Sequence, residues 1–145
     1  MDKQQIIYSI GYEIQQIDNA YAAYAGKTNL SYLALTVLRL ISDMNGTCTQ
    51  KDISDNCDAS KQSVNAVISS LLKKEYIILT EQTQDRRKKC ISLTEKGKTY
   101  ADSILDPLEQ IEQNAAADLP LSDMETALNT LRKFSALLQR QVKEF

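Results

Sequence analysis

A mainly α fold carrying one small β-hairpin (α+β) is predicted by three features of this chain. Long apolar stripes recur at helical spacing near both termini, helix-capping residues stand before the four helices between them, and the period switches near residue 76 from helical to alternating. The elements follow in order. Ile7, Ile10, Ile14, Ile17, Tyr21 and Tyr24 step by three and four, which makes a single stripe on a long first helix that Gly26 and Asn29 are expected to end. Ser31 then offers an N-cap to Tyr32–Met44, an apolar and largely buried second helix stopping at the turn pair Asn45-Gly46.

Thr49, with Asp52 three residues on, approximates a capping box for a short third helix from Gln50 to about Cys57. After Asp58-Ala59, Ser60 caps a fourth helix whose Val64, Val67, Ile68, Leu71 and Leu72 lie at helical spacing and which ends on Lys73 and Lys74. Two short helices joined by a tight turn read as a helix-turn-helix. Tyr76-Ile77-Ile78-Leu79 and the alternation Ile91-Ser92-Leu93 predict two strands, with the polar run Glu81–Lys89 as the charged tip of a hairpin, a wing. Thr94 caps the next helix, where Tyr100, Ile104, Leu108 and Ile111 face one way and Pro107 predicts a kink. Beyond Leu119-Pro120, the residues Leu121, Met124, Leu128, Leu131, Leu138, Val142 and Phe145 keep a heptad register in which Ser135 is the one polar seam position. The outline is a winged helix-turn-helix between long N- and C-terminal dimerisation helices. It divides into an arm at 1–30, a lobe at 31–97 and C-terminal helices at 98–145. A chain of 145 residues has little other mass with which to cover both apolar arms, so a homodimer is the economical solution.

Composition limits function. There is no histidine, which removes the commonest general base and metal ligand, and no glycine-rich phosphate loop or metal-ligand cluster is legible; no enzyme, no cofactor and no metal are expected. No apolar run is long enough for a membrane span and no secretory signal is read at the N-terminus, so a cytoplasmic protein with no membrane partner is expected. The three cysteines, Cys48, Cys57 and Cys90, show no CxxC spacing and read as small buried hydrophobes, with a redox switch as the alternative. The net charge of −2 is uneven: 4 basic residues against 7 acidic in 1–59, 7 against 3 in 60–90, and 6 against 9 in 91–145. A basic middle on an acidic scaffold suits a nucleic-acid reader, although a solvated charged face would look the same.

The order of elements resembles the MarR family of transcriptional regulators over nearly the whole chain. The most specific stretch is Asp85-Arg86-Arg87-Lys88-Lys89-Cys90-Ile91-Ser92-Leu93-Thr94-Glu95-Lys96-Gly97, similar to that family's wing signature of Asp-x-Arg, an apolar strand and Leu-Thr-x-x-Gly. Thr49-Gln50-Lys51-Asp52-Ile53 and Ser60-Lys61-Gln62-Ser63-Val64 are similar to its helix-turn-helix openings. One departure is Glu75, where the family usually has glycine between the fourth helix and the first wing strand.

The resemblance implies a dimeric regulator, a ligand-responsive repressor, reading double-stranded DNA at a pseudo-palindrome. Helix 60–74 would enter the major groove and wing 81–90 the minor groove. Ser60, Lys61, Gln62, Ser63 and Asn65 are then the candidates for base and phosphate contacts, with Gln62 and Asn65 able to pair bidentately with adenine. Arg87 is the implied minor-groove residue, oriented by Asp85, while Arg86, Lys88 and Lys89 would meet phosphates. It also implies a small aromatic or anionic effector in a crevice between arms and lobe, for which Tyr8, Tyr12 and Tyr32 are candidate lining residues, packing being their alternative. A winged-helix protein-interaction module that does not read DNA is the second reading.

Overall fold

A computed structural model describes residues 1–82 and 84–145, apart from the side chain of Arg86, so the wing tip read in the sequence lies partly outside the described residues. Among these are six helices and three strands: α1 (Lys3–Lys27), α2 (Tyr32–Met44), β1 (Cys48–Thr49), α3 (Gln50–Asn56), α4 (Lys61–Lys73), β2 (Ile77–Gln82), β3 (Asp85–Leu93), α5 (Glu95–Ala116) and α6 (Leu121–Glu144). The predicted class, mainly α with a small wing, is the observed one. The chain forms two compact units, Met1–Leu108 and Glu109–Phe145, which divide one residue beyond Pro107 within α5.

Local chemistry sets the helix ends. Asp2 and Gln5 form a capping box at the start of α1, Ser31 Oγ accepts the Ala34 N–H, and Thr49 with Asp52 closes a second capping box on α3. The Asp52 carboxylate is held below its usual range by the backbone and hydroxyl hydrogen bonds from Thr49. At the end of α1 the left-handed turn falls at Asn29 (φ 60°), whereas Gly26 lies inside the helix. Asparagine tolerates that conformation, so of the two residues expected to end the helix it is Asn29 that makes the turn. Asn45 (φ 44°) and Gly46 (φ 88°) end α2 as expected.

Two apolar clusters hold the first unit. One gathers Val37 and Ile41 of α2, Cys48 of β1, Ile53 of α3, Val64, Ile68 and Leu71 of α4, and Ile77 and Ile91 of the hairpin. The other joins Ala25 of α1, Leu35 and Leu38 of α2, and Ala101, Ile104 and Leu108 of α5. Tyr24 Oη donates to the Ile104 carbonyl at 2.6 Å across this second cluster.

The sheet corrects the sequence reading in two places. Its order is β1-β3-β2, antiparallel throughout, with Cys48 opposite Ile91 and Thr49 opposite Cys90, so a two-residue strand that was not expected completes it. The run Asp85–Lys89, read as loop, belongs to β3, which pairs Ile77 with Leu93 through Glu81 with Lys89 before the register slips and Gln82 meets Asp85. That slip leaves 86–88 opposite no residue of β2, a bulge in β3.

Glu75 takes the left-handed conformation, at φ 61°. The Glu75 N–H donates to the Leu72 carbonyl at 2.9 Å and the Tyr76 N–H to the Leu71 carbonyl at 3.0 Å, the two bonds of a Schellman cap. The turn is therefore the glycine-type turn, built with a side chain that disfavours it. Replacing Glu75 with glycine is expected to stabilise the protein by about 0.5–1 kcal/mol, because the relief of left-handed strain exceeds the extra backbone entropy of glycine in the unfolded chain. Thermal melts should show Tm raised by roughly 3 °C; an unchanged or lower Tm would mean that Glu75 carries no strain.

Candidate nucleic-acid interface

Polar residues of α4 face away from the core because its apolar ones are fixed in it. Val64, Ile68 and Leu71 are buried, which leaves Gln62, Ser69 and Lys73 at helical spacing on the opposite, exposed face, with Lys61 and Asn65 on one flank. Ser60 caps the helix: its Oγ accepts the Ser63 N–H at 3.1 Å and lies 2.9 Å from Ser63 Oγ. The two hydroxyls are thus linked at the positive end of the α4 dipole, where an oxyanion is favoured. Asn65 accepts a hydrogen bond at Oδ1 from Nε2 of Gln50, the first residue of α3. Gln50 was not singled out in the sequence.

On the hairpin, Asp85, Arg87, Lys88 and Lys89 are all exposed. The Asp85 carboxylate accepts the backbone N–H of Arg87 at 3.0 Å, so it organises the turn under Arg87 through the main chain. Arg86 can be given no side-chain placement, lying outside the described residues in that respect. Between the hairpin and the start of α3 opens a cleft of about 500 Å³ lined by Gln50, Lys51, Gln82, Arg87, Lys88 and Lys89 among others. Lys51, also absent from the sequence-based candidates, pairs with Asp55 at 2.7 Å, and that contact raises its pKa, keeping it charged. The cleft therefore presents four cationic side chains to solvent on a surface continuous, through Gln50, with the flank of α4.

The tyrosine candidates separate. Tyr32 donates to Asp18 Oδ1 at 2.9 Å and stacks on Tyr21 with ring centroids 6.4 Å apart. Burial, then the contact with Asp18, raises its pKa and keeps the phenol protonated. It borders a crevice of about 270 Å³ with Asp18, Leu33, Thr36, Asn56, Cys57 and Asp58. Tyr8 and Tyr12 are 72% and 63% exposed, roughly two to three helical turns along α1 from Asp18, and do not line that crevice.

All three thiols are free. Burial pushes the Cys48 thiol up to about 11, and burial also raises Cys57, so neither forms a reactive thiolate near neutral pH. Cys90 is buried in β3 and accepts from Gln82 Nε2 at 3.0 Å. Their surroundings suit the reading as small apolar side chains.

The arms differ from the lobe. No residue of α6 is buried, and Leu121, Met124, Leu128, Leu131, Leu138, Val142 and Phe145 are all exposed. Ala25 alone is buried in α1, where Ile6, Ile7, Ile14 and Ile17 are exposed. No helix among the described residues is long and apolar enough to cross a membrane.

Comparison with known proteins agrees with this architecture. The MarR family profile matches residues 28–88, from the end of α1 to the wing. Over 133 residues the chain is 26% identical to the HTH-type transcriptional regulator SarZ of Staphylococcus aureus (strain USA300), spanning 90% of this chain and 86% of that protein. Its fold is similar to that of NMB1585, a MarR family regulator from Neisseria meningitidis, with a TM-score of 0.83, 26% identity and 99% of each chain covered. The transcriptional regulator BldR from Sulfolobus solfataricus shares the fold at a TM-score of 0.71 and 19% identity, over 92% of this chain and 99% of that one.

Proposed function

We propose that this chain, whose residues 28–88 match the MarR family model and whose fold is similar to that of MarR family regulators, is a DNA-binding transcriptional regulator that acts in the cytoplasm as a homodimeric repressor whose hold on a pseudo-palindromic operator is released by a small effector. The observation that carries the reading is the continuous exposed surface made by the polar flank of α4, the Ser60 cap and the cationic cleft of Arg87, Lys88, Lys89 and Lys51. Helix α4 enters the major groove, where Lys61, Gln62, Ser63 and Asn65 meet base edges and phosphates, and Ser60 with the helix amides holds a phosphate oxygen. Arg87 reaches the adjacent minor groove, whose negative potential favours a guanidinium, and Lys88 and Lys89 contact phosphates. The lobe spans 31–97; the arms, 1–30 and 98–145, bury their apolar seams against the second copy. Two lobes so joined read half-sites about 34 Å apart.

The effector enters the crevice beside Tyr32. A volume near the lower end of ligand sites suits a small molecule, and Asp18 and Asp58 on its wall disfavour an anion, so of the aromatic and anionic classes the aromatic one fits better.

Selection of bound duplexes from a randomised pool tests the reading. The expected product is one sequence of two-fold symmetry with half-sites separated by about 10 base pairs centre to centre. A pool that stays random after repeated rounds would favour the protein-interaction module instead.

A further inference from the structure

We propose that Gln50 determines which base Asn65 reads, by fixing the orientation of the Asn65 side-chain amide. This rests on the DNA-reading surface proposed above. The two residues belong to different helices, Gln50 opening α3 and Asn65 standing in the second turn of α4, and both are exposed. The Gln50 Nε2 group donates to Asn65 Oδ1. Between two solvated amides such a bond contributes little to the stability of the free protein, since water offers each group an equivalent partner, but against a duplex that excludes water, breaking it would leave a donor unsatisfied. Its consequence is directional. An asparagine amide carries one acceptor and two donors, and pairing with adenine requires Oδ1 and Nδ2 to be aimed together at the N6 and N7 edge. Gln50 draws Oδ1 back toward α3, so the Nδ2 protons are what Asn65 turns to the groove.

An amide presented in this way seeks an acceptor. Guanine offers O6 and N7 and thymine offers O4, whereas cytosine offers a donor and adenine matches the full amide only when Oδ1 is available. Asn65 therefore reads guanine or thymine at its position of each half-site. The expectation that it pairs bidentately with adenine changes because of a neighbour 15 residues away in sequence. Gln50 is a positioning residue here: it acts through Asn65.

Selection from randomised duplexes, run in parallel on the full-length protein and on Asn65→Ala, Gln50→Ala and Gln50→Glu, tests this. In the wild type one position per half-site should prefer guanine or thymine roughly tenfold, and Asn65→Ala should flatten that position and no other. Gln50→Ala should flatten the same position, because the freed amide can present either end. Gln50→Glu should move the preference to adenine or cytosine, since a carboxylate accepts from Nδ2 and turns Oδ1 to the groove. A role for Gln50 in helix packing alone would weaken binding to all sequences and leave the preference at that position in place, which would overturn the proposal. So would a wild-type preference for adenine there, or an Asn65→Ala protein whose selected sequence is unchanged. A wild type that enriches no sequence overturns the DNA-reading premise and this inference with it, whereas an enriched sequence indifferent to Gln50 overturns the inference alone.

Discussion

Gly97→Ala is expected to destabilise the protein by about 3–5 kcal/mol, a large share of what holds an ordinary domain together. A Cβ on Gly97 would lie 1.8 Å from the Tyr76 carbonyl oxygen, 2.6 Å from its carbon and 3.0 Å from its Cα, all of them backbone atoms. The Tyr76 peptide has little freedom to move. Its carbonyl accepts the Thr94 N–H at 3.0 Å, and its ring stacks on Tyr100 at 4.3 Å with 7° between the planes. Thr94 is fixed in turn, its hydroxyl donating to the Glu75 carbonyl at 2.7 Å and accepting the Gly97 N–H at 2.9 Å. The end of α4, the start of β2 and the start of α5 thus meet at one knot, and the methyl group has to open it. Urea unfolding followed by circular dichroism should show a much lower midpoint with the slope preserved, while Thr99→Ala, at an exposed site of the same helix, stays within about 0.5 kcal/mol of wild type. A Gly97→Ala protein as stable as wild type would mean that helix and strand are further apart than described.

The second large effect is expected from Leu131→Glu combined with Leu138→Glu on α6. These residues lie one heptad apart on a seam that is exposed from Leu121 to Phe145, and an apolar stripe of that length on an uncovered helix is stable in water only when another surface covers it. Placing two carboxylates in the seam makes its burial prohibitive. Wild-type protein at micromolar concentration should sediment at twice the chain mass with a concentration-dependent Tm, and the double variant as a monomer. Its DNA affinity should fall by about 100-fold or more, because two linked half-site contacts become one. A wild type that is already monomeric at tens of micromolar would contradict the dimer.

What could be read in the sequence was what short-range chemistry determines. The caps Ser31, Thr49, Ser60 and Thr94, the turn Asn45-Gly46 and the helical stripes each depend on residues within a turn or two, and the resulting helices lie where expected. Strand β1 was invisible because two residues carry no period; it exists only through its pairing with Ile91 and Cys90. The charged run Asp85–Lys89 looks like a loop by composition, yet pairing to β2 makes it strand. Glu75 stands where the MarR family usually has glycine, and it adopts the glycine conformation. In the candidate interface the wing cations were legible as a run of charge, while Gln50 was not, since a neutral amide acquires meaning only from the partner that the fold brings to it. Of the three candidate tyrosines, Tyr32 borders a crevice with Asp18, a residue that α1 brings to it from 14 positions away.

The most direct test of the central claim is fluorescence anisotropy of the purified protein on DNA from upstream of its own coding sequence, against a scrambled duplex, across a salt series with wild type and Arg87→Ala. Expected are at least ~10³-fold preference for the native fragment, affinity falling steeply as salt rises from about 50 to about 200 mM, and a loss of roughly tenfold or more in Arg87→Ala. Equal and weak binding to both duplexes, unaffected by salt and by the loss of Arg87, would contradict that claim.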